Sequence, residues 1–498
     1  MAELGTTTCG PLLVLAILLP IAGIILSITL GGRNAERVAL SSTPLGLALA
    51  CAIAFCVGRT GKPVVYMIGG LPPPLGIALR ADGISAVMLI TAAVIVTVAA
   101  FYARSKFNTP RSVRECRSSL TFWIMLQAIW AALTMIFVGS DLFNLYVALE
   151  LLTFAAVPLV CIDGRPETLA AALRYLLFAL FGSISYLLGV ALFYGAYGTL
   201  DIPLLAQRVQ ATPITWTATA LMTAGLIAKT ALFPVHLWLP PAHANAPAAA
   251  SAILSSLVVK GSFFLTLRLW FYILPALPAD KAAIILGCLG SVAIVAGSIM
   301  ALRQARLKLL IAYSTVAQIG YLFLVFPLAI GSQTWSALGW SAGIMQILAH
   351  AFAKAAMFLS AGVLAEALGH DQIARIRGTA RLLPLTFLTI ALAGVSLVGL
   401  PPSGGFSAKW LMLQASIASG QWVWTLPVLA GGLLAAGYVY RILAPAFADD
   451  QISLALPPKR SQEAAALALA TIAIALGFMP QSFFNLLEIG RPLAAGLP

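Results

Sequence analysis

Six ionisable side chains fall within long apolar stretches of this sequence, where water would not normally solvate them: Glu150, Lys229, Lys260, His350, Lys354 and Lys409. A lysine or a carboxylate at the centre of a membrane-spanning helix costs about 2.5–3.5 kcal/mol on insertion scales, so such residues usually mark ion or proton routes. Desolvation lowers the pKa of a lysine, and a neighbouring carboxylate raises it again. We therefore predict that Glu150, the one acidic residue clearly inside an apolar stretch, pairs with Lys229, and that all six residues transfer protons.

Four further residues are candidates for ion pairing or for lining the same route: Arg174, His236, His243 and Lys308. Small shifts move the charge of an imidazole across neutral pH, which suits histidine to proton transfer, although structural roles for the two histidines stay open. His350 and Lys354 lie four residues apart, so they share one helix face with Gln346. Arg268 and Arg441 lie near the ends of apolar stretches and are expected to reach the membrane surface.

Two of the apolar stretches are interrupted by proline and glycine beside a candidate lysine. Lys229 precedes the proline-rich segment 233–247, and Lys409 follows the segment 399–406, which holds two prolines and three glycines. Irregular backbone survives at membrane depth only where protein or a wet cavity covers it. Broken helices of this kind are typical of ion sites in transporters, and two ordinary kinks are the alternative.

The elements that must position these residues are predicted to be membrane-spanning helices. Of 498 residues, 61% are hydrophobic and only 9% are charged, whereas soluble domains carry about 25% charged residues. A spanning helix needs about 20 mostly apolar residues. The sequence thus predicts an all-α integral membrane protein with about fourteen helices, at 11–31, 38–57, 83–103, 119–138, 141–161, 170–195, 214–233, 247–272, 282–302, 307–329, 337–365, 384–419, 422–445 and 462–482.

The order of these helices suggests a peripheral group, two repeats and a closing helix. Residues 1–118 hold helices 1–3, and residues 447–498 hold helix 14 and the C-terminal tail. Between them, 119–275 and 276–446 would form two five-helix repeats, helices 4–8 and 9–13, inverted relative to each other as in many transporters. Each repeat would contain one broken helix, but the two halves do not align convincingly in sequence.

The formal net charge of +13 does not form a nucleic-acid-binding patch, because the basic residues lie in the connections between helices. The odd-numbered connections hold sixteen lysines and arginines and the even-numbered ones hold five. The positive-inside rule then predicts that the odd connections face the cytoplasm of a bacterial plasma membrane and that both termini lie outside. The first ten residues contain no Lys or Arg, so the first apolar run is expected to stay as a helix.

Taken in order, the motifs resemble those of the antiporter-like subunits of respiratory complex I, the membrane-bound hydrogenases and the Mrp-type multi-subunit cation/proton antiporters. The matching segments cover nearly the whole chain: 81–85, 140–151 around Glu150, 229–246 after Lys229, Lys260 at 31 residues from Lys229, 305–314, 350–355 and 399–410. Segment 66–82 looks most like the D-type antiporter protein of the Mrp group. Pro241 and Arg174 depart from the pattern, since the family usually has Asp and Lys there.

This resemblance implies a proton-translocating subunit that works with other membrane subunits, with Na⁺ or K⁺ exchange left open. It implies no cofactor in this chain: the six cysteines form no C-x-x-C pair, so metal clusters and haem have no basis in the sequence, and most of the cysteines are expected to be packing residues. Electron transfer, if the complex performs it, would occur in partner subunits. One alternative is a free-standing secondary transporter, which gene context would separate from a subunit of a complex. The other is a quinone-interacting oxidoreductase subunit, which would need quinone-site residues that the sequence does not identify.

Overall fold

The computed structural model describes residues 5–110, 112–274, 279–330, 334–450 and 453–491. The predicted all-α class is confirmed, because helices account for nearly all regular structure in these ranges. The one exception is an antiparallel hairpin, β1 (Val64–Met67) paired with β2 (Ala78–Ala81), which the sequence analysis did not predict. The proposed boundary between the two repeats, at 275/276, falls outside the described residues.

The first six helices follow the predicted positions closely. Asp82 and Asp141 cap two of them, since each carboxylate accepts a backbone N–H from the first helical turn. Proline occupies the first position of two others, where its missing N–H would be unpaired in any case. The helices are α1 (Pro11–Leu30), α2 (Gly32–Thr60), α3 (Gly83–Ala103), α4 (Arg117–Val138), α5 (Leu142–Val160) and α6 (Pro166–Tyr197).

The next group contains the first broken helix. A short surface helix, α7 (Ile202–Arg208), leads to α8 (Pro213–Thr230), which ends one residue after Lys229. The chain leaves the helix at Ala231, which adopts a left-handed conformation with φ 59°. It resumes as the short helix α9 (Leu239–Asn245) and then as the long helix α10 (Ala248–Ile273), which contains two π-helical turns. The break predicted after Lys229 is confirmed.

The second broken helix lies in the last group. The predicted span 384–419 consists of two halves, α14 (Pro384–Val398) and α15 (Gly404–Ala418), joined by the segment 399–403. Gly405 permits this break, because a Cβ there would lie 1.8 Å from the carbonyl oxygen of Ser396. The other helices are α11 (Asp280–Leu302), α12 (Leu307–Ala329), α13 (Thr334–Leu368), α16 (Thr425–Ala446), α17 (Arg460–Ala475) and α18 (Gln481–Glu488).

Twelve of the described helices are long and apolar enough to cross a membrane. Together with the two broken helices they account for the fourteen predicted spans. Helices α10 and α13 are the most central, since their apolar windows are fully buried within the chain, whereas the windows of α1 and α2 are about one third buried. The residues Lys260, His350 and Lys354 therefore lie on the innermost helices of the bundle.

Two of the six cysteines are paired, which the sequence did not predict. Cys9 and Cys56 form a disulfide that joins the segment before α1 to the last turns of α2. The two residues are 47 positions apart, and only the antiparallel packing of α1 against α2 brings them together. Cys51, Cys116, Cys161 and Cys288 have free thiols, and none of the four is fully buried.

Candidate functional site

The predicted ion pair between Glu150 and Lys229 is present. Lys229, in the last turn of α8, donates to a carboxylate oxygen of Glu150 on α5 at 3.1 Å and to the hydroxyl of Thr153 at 3.0 Å. Ser183 on α6 donates to the same carboxylate oxygen. Helices α6 and α8 approach closely at Gly182, where a Cβ would lie 2.7 Å from the carbonyl oxygen of Gly225. Three helices thus hold one lysine–carboxylate pair.

Glu150 is not the only buried carboxylate in the described chain, which corrects the expectation. Its side chain keeps 15% of its surface exposed, whereas that of Asp82 is fully buried. Glu463 in the first turn of α17 is also buried, and its carboxylate accepts a hydrogen bond of 2.7 Å from Thr386. Partial exposure leaves the carboxylate of Glu150 room to move, which a fully enclosed carboxylate would not have.

The first break carries His236 and His243. Trp238 fixes this segment, because its indole N–H donates to the carbonyl of Ala228 at 2.9 Å and its ring stacks on Tyr175. His243 is fully buried in α9 and stacks on Phe358 with ring centroids 4.7 Å apart. Neither nitrogen of the His243 imidazole has a hydrogen-bond partner among the described residues. The segment therefore positions an imidazole with both nitrogens available.

The C-terminal end of α9 is held by two cations. Lys308 donates to the carbonyl of Ala246 at 3.0 Å, and Arg306 donates to the carbonyl of Ala244 at 3.3 Å. Arg306 also pairs with Asp371 at 3.0 Å. Cations stabilise the C-terminal end of a helix because the last carbonyls lack partners. Lys308 therefore has a definite positioning contact in addition to any role in proton transfer.

Short polar contacts link the first broken helix to the centre of the bundle. Thr230, the neighbour of Lys229, donates to the hydroxyl of Ser262 on α10 at 2.9 Å. Lys260, two residues before Ser262, is fully buried and donates to the carbonyl of Ser255. Lys260 lies just after a π-helical turn, Leu254–Val258, and such turns are frequent at functional sites.

The centre connects to the second half through α12. The hydroxyls of Ser255 and Thr315 lie 2.9 Å apart. Ser314, adjacent to Thr315, accepts a hydrogen bond from the ammonium group of Lys354, which also donates to the carbonyl of Ile311 at 3.1 Å. Lys354 has no carboxylate partner within the described ranges. Lys260 and Lys354, on facing helices, thus each contact one of two neighbouring segments, at Ser255 and at Ser314, which the hydroxyls of Ser255 and Thr315 bring together.

The polar stripe on α13 continues toward the second break. Gln346 donates to Gln318 at 2.9 Å, and Gln318 donates to the carbonyl of Leu397, the penultimate residue of α14, at 3.2 Å. Lys409 on α15 donates to the carbonyls of Leu397 and Val398 at 2.7 and 2.8 Å. Its ammonium also lies 4.7 Å from the centre of the Tyr321 ring.

His350 lies on the same helix as Gln346 and Lys354, one turn from each, and is 1% exposed. Neither of its ring nitrogens is paired with another described side chain or backbone group. A neutral imidazole has one donor and one acceptor. Because buried polar groups are rarely left without partners, this position is suited to ordered water.

Arg174 is the one predicted residue whose side chain lies at the surface of the described chain, away from the buried contacts. It lies on α6 nine residues, or two and a half turns, before Ser183, so it points to the opposite side of the helix. Its side chain is exposed, as are those of Leu173 and Leu177 beside it. Within the described chain Arg174 therefore faces outward and does not line the interior.

A buried cluster around Asp82 was missed. Arg268 on α10 donates to both carboxylate oxygens of Asp82, one of them at 2.9 Å, and to Ser85 at 2.7 Å, while Tyr272 donates to Asp82 at 2.8 Å. The expectation that Arg268 reaches the membrane surface is wrong. One feature of the sequence pointed to Asp82, because this residue precedes the apolar run of α3 at the position of a helix cap.

The comparisons with known proteins identify the family of the chain. Residues 139–435 match the family described as NADH:quinone oxidoreductase/Mrp antiporter, TM. The N-type subunit of the NADH-quinone oxidoreductase of Desulforudis audaxviator is 34% identical over 391 residues, which cover 78% of this chain and 76% of that protein. The D-type subunit of the Na(+)/H(+) antiporter of Alkalihalophilus pseudofirmus is 28% identical, with 95% of each chain covered.

A solved structure extends the agreement to the fold. A chain of the membrane-bound sulfane sulfur reductase, an archaeal respiratory membrane complex, superposes with a TM-score of 0.87 at 26% identity. The match covers 96% of this chain and 96% of that chain. The family match includes Glu150, Lys229, Lys260, His350, Lys354 and Lys409. The protein belongs to the NADH:quinone oxidoreductase/Mrp antiporter transmembrane family, as an antiporter-like, proton-translocating subunit of a multi-subunit membrane complex.

Proposed function

We propose that protons move through this subunit along the buried chain of side chains that begins at Glu150 and ends at Lys409. The observation that carries the proposal is the continuity of polar groups between the two broken helices. Hydrogen bonds of 2.9 Å join Thr230 to Ser262, Ser255 to Thr315 and Gln346 to Gln318. Gln318 and Lys409 both donate to the carbonyl of Leu397. Around His350 the unpaired imidazole nitrogens leave room for water to complete the chain.

In the first half, the distance between Glu150 and Lys229 would control the proton. While the pair is closed, the carboxylate stabilises the ammonium form of Lys229. When Glu150 moves away, Thr153 remains as a neutral partner, and a buried ammonium without a counter-charge is strongly destabilised. Lys229 would then release its proton toward Thr230 and Ser262, and Lys260 would receive it.

In the second half, Lys354 and Lys409 would pass the proton on. Both lysines donate to backbone carbonyls, and the described residues include no carboxylate bonded to either one. Because carbonyls stabilise an ammonium less than a carboxylate does, such lysines are suited to alternate between the charged and neutral forms. Lys409 beside the break would be the terminal proton donor or acceptor. His243, His236 and Lys308 would carry protons between the centre of the bundle and the loop after α9.

The orientation in the membrane belongs to the same proposal. Both termini would lie outside the cytoplasm, as the distribution of basic residues predicts. The disulfide between Cys9 and Cys56 supports this, because it lies at the same membrane face as the N-terminus and disulfides persist in oxidising compartments. A reporter that is active only outside the cytoplasm, fused into the basic connection 104–117, should be inactive; activity there would reverse the orientation.

The central experiment replaces Lys354, which joins the two halves, by a side chain of similar length without a charge. Lys354→Met, in the native complex reconstituted into vesicles, should reduce proton flux by at least about tenfold while the complex stays assembled. A tenfold loss of rate corresponds to about 1.4 kcal/mol in the barrier to proton transfer. Arg174→Met is the matched control, because it removes a cation from the same membrane region on an outward face. The control should retain flux; equal flux in both variants would contradict the proposed route.

A further inference from the structure

A groove outside the proton route runs between α3 and α17 on the surface that faces the membrane. It has a volume of about 660 Å³ and joins the peripheral group of helices to the closing helix. None of the candidate proton-transfer residues contributes to its walls. The groove has an apolar part and a polar part, one after the other along the helix axes. This order of the two parts indicates which kind of ligand the groove binds.

The deeper part of the groove is apolar. Val98 and Phe101 form one wall, and Ala464 and Ala465 form the other. Val98 lies five residues before the end of α3, which places it about 7–8 Å from that end at 1.5 Å per residue. Phe101 has 47% of its surface exposed, and the small alanines opposite leave the space beside its ring open. This part has the depth and composition to accept a hydrocarbon chain.

The shallower part is polar and lies where both helices meet the membrane surface. Arg104, Ser105 and Asn108 follow the end of α3, and Ser461 lies at the start of α17. The ammonium of Lys459 donates to the carbonyl of Ser105 at 3.1 Å and so connects the two walls. These groups supply hydroxyl, amide and cationic donors at the level of lipid headgroups.

Only some of the cations around this rim are paired with acids. Arg104 pairs with Glu36 at 3.1 Å. Lys459 and Arg460 are both exposed, and within the described part of the chain neither is paired with a carboxylate. One cation without a carboxylate partner, Lys459, therefore contacts the rim of the groove through Ser105, and Arg460 follows it directly in sequence, before Ser461. Basic pockets between membrane helices at the membrane surface are typical binding sites for anionic lipid headgroups.

We infer that this groove binds an anionic phospholipid, with its phosphate at Lys459, Arg460 and Ser461 and one acyl chain beside Phe101. The order of the groups carries the inference, because cationic donors at the surface above an apolar groove match a phospholipid along the bilayer normal. A free phosphate would use the rim alone and leave the apolar part unfilled. The lipid would hold α3 against α17 at the edge of the subunit.

The test measures phospholipid retention on the purified complex by native mass spectrometry after detergent exchange. The complex is titrated with phosphatidylglycerol, with phosphatidylcholine of the same chains, and with inorganic phosphate. The double variant Lys459→Gln/Arg460→Gln should bind phosphatidylglycerol about 25-fold more weakly, from about a fivefold contribution of each cation near a membrane surface. Ala464→Phe, which fills the apolar part at an exposed position, should weaken binding without any change in charge.

The matched control is Arg303→Gln/Arg375→Gln, which removes two cations from other connections and should bind phosphatidylglycerol normally. Unchanged binding in the Lys459/Arg460 variant, or equal loss in the control, would overturn the site. Equal binding of phosphatidylcholine would refute a headgroup preference. Competition by millimolar inorganic phosphate with no effect of Ala464→Phe would indicate a free-phosphate site instead. Protection of Ser461→Cys from a maleimide by another subunit, in complex free of lipid, would indicate a protein occupant.

Discussion

The two broken helices place a lysine beside the break in both halves of the molecule, but they stabilise its charge in different ways. Lys229 precedes its break and pairs with a carboxylate, Glu150, at 3.1 Å. Lys409 follows its break and reaches back to the last two carbonyls of α14, at 2.7 and 2.8 Å. The first lysine depends on a side chain from another helix, whereas the second depends on the backbone of its own broken span.

This difference indicates what each half can do. A side-chain carboxylate can move by rotation about its own bonds, so its effect on Lys229 can be switched on and off. The carbonyls at the end of α14 are fixed by the helix and carry the negative end of its dipole. The first half therefore resembles a switch, and the second half a site of constant affinity whose lysine changes charge as protons arrive and leave.

The largest expected effect is at Lys409. Lys409→Ala should abolish proton flux without removing the protein from the membrane, because the terminal proton carrier is lost while Ser403 still caps α15 after the break. Lys409→Arg should also stop flux, since arginine stays protonated, but it should preserve thermal stability better by keeping the bonds to the carbonyls. Flux is measured in vesicles that contain the complex, with assembly followed by size-exclusion chromatography.

The control for this prediction is Trp410→Leu, one residue further along α15, whose side chain is half exposed. It should keep most of the flux. Near-normal transport by Lys409→Ala would mean that the second break is only a kink and that the comparison between the halves has no functional content.

A smaller but more specific effect is expected at the first half. Glu150→Gln should slow flux and move its optimum to lower pH, because the ammonium form of Lys229 loses its counter-charge and needs more protons in solution to be populated. Lys229→Ala should stop flux, and the double variant should be no worse than Lys229→Ala, as expected of residues that act together. Flux across a range of pH tests all three variants; additive losses would refute the functional pairing.

The parts of this protein that follow from local sequence were predicted well. Runs of about 20 apolar residues fix helix positions in a membrane, and the proline and glycine residues after Lys229 and before Lys409 marked both breaks correctly. The pairing of Glu150 with Lys229 could also be inferred, because a buried lysine needs a counter-charge and few acids were available at its depth.

The parts that depend on helix rotation and long-range packing were not predictable. Asp82 and Arg268 are 186 residues apart, and only the packing of α3 against α10 brings them into contact. Arg174 was assigned to the interior although its phase on α6 turns it away from Ser183 by half a turn. The phase of an apolar helix is poorly marked when lipid-facing and protein-facing residues are equally hydrophobic, so neither position could be corrected from the sequence.

A moderate effect is expected at the Asp82–Arg268 pair, which lies outside both broken helices. Asp82→Asn should lower the stability of the subunit by about 3–5 kcal/mol, because Arg268 would remain buried without its carboxylate. Flux per assembled complex should be nearly unchanged, which would separate this structural pair from the Glu150–Lys229 pair. Thermal unfolding and flux are measured on the same preparation; a flux loss as large as that of Glu150→Gln would extend the proton route to α3.

The smallest expected effect separates the roles of the neutral groups around Lys229. Thr153→Val removes the hydroxyl that accepts from Lys229 at 3.0 Å and keeps the side-chain volume. If Thr153 is the partner that Lys229 keeps when Glu150 moves away, its loss should slow flux by roughly threefold to tenfold, the effect of about one hydrogen bond. The pH optimum should stay unchanged, since Glu150 still provides the charge.

The control is Thr219→Val on the same helix as Lys229, because Thr219 is buried and its hydroxyl has no partner within the described ranges. The control should transport normally. A shift of the pH optimum in Thr153→Val similar to that of Glu150→Gln would mean that the hydroxyl and the carboxylate act as one site. The first half would then be a site of constant proton affinity, like the second half.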